Sequence, residues 1–279
     1  MDRSGTGLIP REWRFPNRAT PPGSSAYYSV RFAPACLRHE LAALFAWRHQ
    51  VWAIPNEVSD PGVARLKLQW WREELERTYR GEPRHPLSHA LEPALARNEL
   101  PAGPFLRIAD RVEAEILRRQ PRDEAALRSA CADDQGALFE LMARCHGKGY
   151  DLPYARRLGT FCARVYLIRD SGLRARRGRF LFSMESLHKR GLSAEALRER
   201  SHRARLPGLL AEAAAGARRE LRETGRGAAG APSCVRVRFV ILKALLDELE
   251  RSGFDLADHR VSLTPLRKLW LGWRESLRR

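Results

Sequence analysis

Long apolar runs are missing from this 279-residue chain. No stretch approaches the roughly 20 consecutive apolar residues that span a bilayer. The opening segment, MDRSGTGLIPREWRFPNRATPPGSS, also lacks the apolar core of a secretory signal. The expectation is therefore a cytoplasmic protein, at most peripheral to the inner membrane. Cysteines are few: Cys36, Cys131, Cys145, Cys162 and Cys234 are odd in number, widely spaced and form no CxxC pair, which argues against a zinc or dithiol motif and predicts reduced core thiols. Lysine is nearly absent, 5 of 50 basic residues, so 45 are arginine. Internal repeats are absent as well.

What is present is enough for one large domain: 44% of residues are apolar and 30% charged, which excludes disorder over the whole length. The net charge of +17 points to anionic partners such as a membrane surface, phospholipid or diphosphate. Charge alone does not make a nucleic-acid site, and no nucleic-acid motif accompanies it.

The periodicity is helical almost throughout. Residues 1–24, rich in Pro, Gly, Arg and Ser, read as a flexible N-terminal arm, and 25–279 as one helical domain. A helix is expected over 34–54, with Leu37, Leu41, Leu44, Phe45 and Trp52 inward. Asp60-Pro61 opens the next, with Asp as N-cap and Pro in the first turn, and it runs to Gly81. Further helices are expected around 102–119, 124–146, 154–170, 193–223, 233–251 and 264–276. The segments 81–86 and 224–231 read as loops, and 178–183 as an isolated candidate strand. On the helix 124–146, Asp134 shares an apolar stripe with Leu127, Cys131, Leu138, Leu141 and Cys145, and a carboxylate there needs a partner. Neighbouring Asp133 reads as exposed.

Several segments together resemble one family. SSAYYSVRFAP, VARLKLQWWREEL at 63–75 and RHPLSHAL, then LGTFCARVYLIRDSGLRARRGRFLFSMESLHKRGL at 158–192, and more weakly 239–270, are similar to squalene/phytoene synthases. The resemblance implies an all-α, isoprenoid-synthase-type bundle around a central cavity. It also implies a head-to-head prenyltransferase chemistry in which aspartates on two facing helices hold Mg²⁺ against diphosphates.

Those aspartates are largely gone. The first motif falls on Phe45-Ala46-Trp47-Arg48-His49 and on Trp52-Ala53-Ile54-Pro55-Asn56, with no carboxylate. The second falls on 163–170, where Ala163 and Tyr166 replace the family's Gln and Asn, Asp170 survives, and Arg174 stands where a second Asp belongs. No metal or cofactor is therefore expected, with Asp170 and Asp134 as the catalytic candidates and Mg²⁺ as cofactor only if a rearranged synthase site exists.

Arg169, Arg174, Arg177 and Arg179 are the expected phosphate contacts, because arginine takes phosphate oxygens directly, and Tyr28 matches a family tyrosine near the cavity. His49, His85 and His89 do not converge as metal ligands by spacing. Trp52 and Tyr166, larger than the groups they replace, could fill the cavity.

The Leu-Gln-Trp-Trp-Arg signature at 68–72 resembles a branch lacking the aspartate motifs, the mitochondrial assembly factor of respiratory complex I. It implies a non-catalytic, peripheral-membrane accessory role with respiratory-complex subunits as partners. The alternatives are an active head-to-head prenyltransferase and a carrier of isoprenoid or phospholipid.

Overall fold

The computed structural model describes residues 10–177, 179, 182–193, 195–199, 205–225, 230–256 and 260–278. Its helices are α1 (Ser25–Arg31), α2 (Arg38–Glu57), α3 (Pro61–Tyr79), α4 (Pro86–Asn98), α5 (Ala102–Ile116), α6 (Glu124–Cys131), α7 (Ala137–Arg144), α8 (Leu152–Arg169), α9 (Ser171–Arg176), α10 (Met184–His188), α11 (Leu206–Glu223), α12 (Ser233–Arg251) and α13 (Pro265–Ser276). No strand occurs among the described residues, so the all-α expectation holds; of the candidate strand 178–183, positions 178, 180 and 181 lie outside them.

α8 is the axis of the bundle, packed against α7, α11 and α12 and against the π-helical turn Ala132–Gly136 that joins α6 to α7. α2 lies between α3, α4, α5 and α7. One buried core runs through all of them. Cys145, Cys162 and Cys234 lie in it as free thiols, Cys131 is buried against the cavity wall, and Cys36 is exposed. Burial pushes the Cys131 thiol up to about 12, so it stays protonated at neutral pH.

Helix starts legible in the sequence appear as expected. The Asp60 carboxylate accepts from Val63 N at 2.8 Å with Pro61 in the first turn. Three expectations need correction. Residues 10–24 are not an arm: Asn17 donates to Trp13 O at 3.2 Å and to Ala42 O at 3.1 Å, its own oxygen takes Ala19 N and Thr20 N, and Phe15 stacks on Tyr27. A polar side chain that satisfies backbone from two segments fixes a Pro-rich stretch without any periodicity. Residues 1–9 lie outside the described ones.

Of the single helix expected over 193–223, the described residues show a 3₁₀ turn at Ala196–Arg198 and then α11, which opens at Leu206 with Pro207 in its first turn, where a missing N–H costs nothing; 194 and 200–204 lie outside the described residues. The helix expected over 124–146 is present from Glu124 to Arg144, with one π-helical turn at Ala132–Gly136 within it. α4 has no counterpart in the sequence reading. Of the loop read at 224–231, residues 226–229 lie outside the described ones.

The Trp70-Trp71-Arg72-Glu73-Glu74 signature is a clamp. Trp71, Glu74 and Leu75 are buried, and Arg72 reaches α5 at Asp110 (2.7 Å) and Glu113 (2.9 Å). Glu74 Oε1 accepts from Arg84 N and His85 N, both at 2.7 Å, while Oε2 takes Arg77 at 2.9 Å. His85, which caps α4 through Nδ1, sits against both tryptophans. Burial alone would raise the Glu74 carboxyl, but the His85 and Arg84 N–H groups, the Arg77 guanidinium and the Ser88 hydroxyl hold its pKa below the usual glutamate value.

Glu74→Ala, which leaves these donors buried and unpaired, is expected to cost about 3 kcal/mol or more, read as a fall in Tm. Because the folded-state pKa is depressed, this stabilisation is complete above the unfolded-state value and fades as pH falls through the folded one. Wild type should therefore lose more stability than Glu74→Gln between about pH 6 and pH 3.

Candidate functional site

A cavity of about 770 Å³ opens between α2, α8, α12 and the π turn. Its volume is in the range of ligand pockets, roughly 300–1,000 Å³. Trp52 and Tyr166 do not fill it: each line the wall and is held to it, Trp52 Nε1 donating to Asp134 Oδ1 at 2.9 Å and the Tyr166 hydroxyl bonding Ser25 Oγ at 2.8 Å.

The lining carries eight cationic side chains, Arg18, Arg48, Arg111, Arg169, Arg174, Arg238, Arg260 and Lys268, and two carboxylates, Asp134 and Asp170. Both carboxylates are taken. Arg48 grips Asp134 through two bonds of 2.7 Å. Asp170 accepts from Arg169 Nε at 2.8 Å and Nη2 at 2.5 Å, and from Arg260 Nε at 3.1 Å. Such forked charge-assisted pairs occupy the oxygens that a cation would need.

The Mg²⁺ fit fails on this donor set. Among the described residues no group of three or more His, Cys, Asp and Glu could hold a metal ion.

Positive charge accumulates at the mouth. Burial, and then the guanidinium groups of Arg169 and Arg260, push the Lys268 ammonium below its ordinary pKa. Burial also lowers the His49 imidazole, helped by Arg48 and Arg18, so His49 stays neutral beside the cavity at pH 7.

Arg238 lies deepest, 4% exposed. Nη2 donates to Gln135 Oε1 at 3.1 Å, and the guanidinium lies 4.7 Å from the Phe45 ring centre and within 6 Å of those of Phe139 and Tyr166. Nε and Nη1 have no hydrogen-bond partner. Cation–π contact compensates part of that desolvation.

The squalene/phytoene synthase family model matches residues 19–267. The chain belongs to the squalene/phytoene synthase family. It is 26% identical over 259 residues to a phytoene synthase of Thermus thermophilus, covering 90% of this chain and 88% of that one. Its fold is similar to the crystal structure of a dehydrosqualene synthase in complex with ligand, TM-score 0.75 at 17% identity with 90% of each chain covered. It is also similar to the squalene synthase HpnC from Alicyclobacillus acidocaldarius, TM-score 0.65 at 20% identity over 85% of this chain and 92% of that one. The isoprenoid-synthase-like bundle is thereby established.

Of the family's motif positions in this squalene/phytoene synthase relative, His49, Trp52, Ala163, Tyr166, Asp170 and Arg174 line the cavity, whereas Phe45 lies in the core under Arg238. Ala53 and Asn56 are not in the lining; Asn56 accepts instead from Arg177 Nη1 at 3.3 Å beside a smaller cavity of about 150 Å³. Arg179 lines that side cavity and donates to Pro55 O at 2.5 Å. Arg174 borders both and pairs with buried Glu115 at 2.8 Å.

Tyr28 is corrected: it is 7% exposed, packed against Tyr27 and Phe32 and absent from the lining, where Ser25 and Ala26 of the same helix stand. Asp134 is corrected as a candidate ligand, since Arg48 and Trp52 hold it. Asp133, read as exposed, is half-buried and pairs with Arg156 at 2.9 Å.

Arg48, Arg111, Arg238, Arg260 and Lys268 were not singled out by sequence. Arg238 alone carried a signal, a charge on the stripe Cys234, Ile241, Leu242 and Leu245 that otherwise reads as core.

The wall depends on a close approach. A Cβ on Gly159 would lie 2.4 Å from Gln135 O and 2.8 Å from Gly136 Cα. Gly159→Ala must therefore push the π turn, with Asp134 and Gln135, off α8. A loss of about 1–3 kcal/mol is expected from overpacking, measured by denaturant unfolding, and an alanine variant as stable as wild type would contradict this packing.

Proposed function

We propose that this family member holds an anionic amphiphile, an isoprenoid diphosphate or a phospholipid head group, in its cavity and does not carry out head-to-head condensation. The observation that carries this reading is the charge of the lining: eight cations, and two carboxylates each already committed to arginine. Arginine supplies planar, permanently charged donors that fork onto phosphate oxygens without a metal. The apolar part of the wall, Leu127, Leu242 and Leu245, suits a hydrocarbon tail.

Condensation requires contacts that strengthen as the diphosphate departs. A fixed ring of guanidinium groups grips the ground-state diphosphate as firmly as the leaving one, which stabilises binding without lowering the barrier. Asp170, bound by Arg169 and Arg260, orients those two arginines toward the mouth instead of taking a cation itself. Within this proposal the assembly role implied by the complex I branch becomes that of a lipid- or isoprenoid-holding accessory protein.

Purified protein incubated with farnesyl or geranylgeranyl diphosphate and Mg²⁺ is expected to release no pyrophosphate and form no C30 or C40 hydrocarbon. The same diphosphates should bind, and Arg260→Glu, a change at the cavity mouth, should weaken binding at least about tenfold, or 1.4 kcal/mol. Sustained turnover to hydrocarbon would overturn the proposal in favour of an active synthase.

A further inference from the structure

The last helix of the bundle is mounted with its apolar side outward. α13 touches the body through Leu271, Gly272 and Glu275, which are buried. Gly272 makes this seat possible, because a Cβ there would lie 2.7 Å from the Phe32 ring. On the far side Leu266, Leu269, Trp270, Trp273 and Leu277 are 78, 43, 51, 53 and 64% exposed. Their spacing of three, four, seven and eleven residues from Leu266 keeps them on one continuous stripe. Isolated exposed apolar residues are ordinary, but five aligned on one face, two of them tryptophan, mark an interaction surface.

The charges around the stripe select the partner. Glu275 is the one acidic residue on α13, and it turns inward to Arg236 at 3.1 Å and to Arg278 at 3.2 Å. Arg267, Arg274 and Arg278 therefore border the stripe with no outward-facing acid on the helix itself; Arg267 also pairs with Glu248 of α12 at 2.5 Å, and Lys268 turns to the body, where it donates to Gly23 O at 3.0 Å. Arg274 lies over the Trp270 ring at 4.4 Å, its charge held at the edge of the apolar face. A second copy of this chain would bring the same basic border and a further +17 against the first, which disfavours a face-to-face dimer. Tryptophan and leucine flanked by arginine instead match the boundary between acyl chains and anionic head groups.

The position of α13 gives the surface a use. The segment leading into it contributes Arg260, Ser262 and Leu263 to the cavity lining, and Lys268 of the helix itself completes that lining. One stretch of chain thus borders both the stripe and the cavity mouth.

We propose that α13 is an in-plane membrane anchor: Leu266, Leu269, Trp270, Trp273 and Leu277 enter the head-group boundary of an anionic leaflet, and the bordering arginines meet lipid phosphate. This sets the cavity mouth at the membrane surface, so an amphiphile passes between bilayer and cavity without crossing open water. The use of the mouth rests on the proposed cavity ligand; the docking does not.

The test is flotation of the full chain with phosphatidylcholine vesicles with and without about one third phosphatidylglycerol, no diphosphate being added, so that the cavity reading and this one fail separately. Wild type should float with the anionic vesicles only, with tryptophan emission shifted to the blue. Raising salt should weaken the binding, since screening shortens to a few ångström near 1 M, without abolishing it, because the apolar side chains remain inserted.

Trp270→Ser/Trp273→Ser, changes at exposed positions that should leave Tm unchanged, should reduce binding at least tenfold. Equal flotation of wild type and this variant would overturn the proposal. So would absence of binding to anionic vesicles, or a concentration-dependent dimer of wild type that the variant loses.

Discussion

The structure depends on guanidinium groups occupying carboxylates. An aqueous cavity walled by eight cations would be repelled open unless some of that charge were matched, and the matching is local: Arg48 with Asp134, Arg169 and Arg260 with Asp170, Arg111 and Arg174 with Glu115. Each pair stabilises the wall and removes a carboxylate from metal chemistry in the same stroke. What remains without a carboxylate partner among the described residues of the lining, Arg18, Arg238 and Lys268, is positive; burial, and then Arg169 and Arg260, hold the Lys268 ammonium below its ordinary pKa. Removing one partner of such a part-buried pair costs more than the pair itself contributes, because the other charge is left desolvated. The arrangement is therefore held as a unit.

Backbone geometry brings these groups together. The π turn at Ala132–Gly136 rotates Asp134 and Gln135 toward α2 and α12, and Gly159 lets α8 press against that turn. Asp134 then receives Arg48 and Trp52 from α2 at once, which clears the indole from the centre of the cavity. On the opposite wall α8 ends at Asp170, where Arg169 is folded back over the Tyr166 ring at 4.5 Å. Remote from the cavity, Glu74 and the tryptophan doublet fasten α3 to the start of α4 and, through Arg72, to α5, so that signature serves the scaffold.

Local signals in the sequence were the legible ones. The cap at Asp60-Pro61, the helical stripes and the loss of the family's aspartates all depend on residues near one another in the chain. The need of Asp134 for a partner was legible too, from its place on an apolar stripe. The partner was not, since Arg48 lies 86 residues away and no periodicity links the two. Composition misled at 10–24, where one asparagine ties together a stretch that proline and glycine made look loose. Ala- and Leu-rich periodicity extended a helix over 193–199, where the described residues form only a 3₁₀ turn at Ala196–Arg198. Arg238 carried a signal, a charge on a stripe that otherwise reads as core, but only the fold shows that this core position faces a cavity.

The claim at the centre is that arginine, and no divalent cation, receives the anionic group. Calorimetric titration of a non-hydrolysable isoprenoid diphosphate analogue in excess EDTA and again in millimolar Mg²⁺ tests it directly. The account expects a comparable Kd in both, weakened by added salt as guanidinium–phosphate contacts are. Binding that appears only when Mg²⁺ is supplied would contradict it.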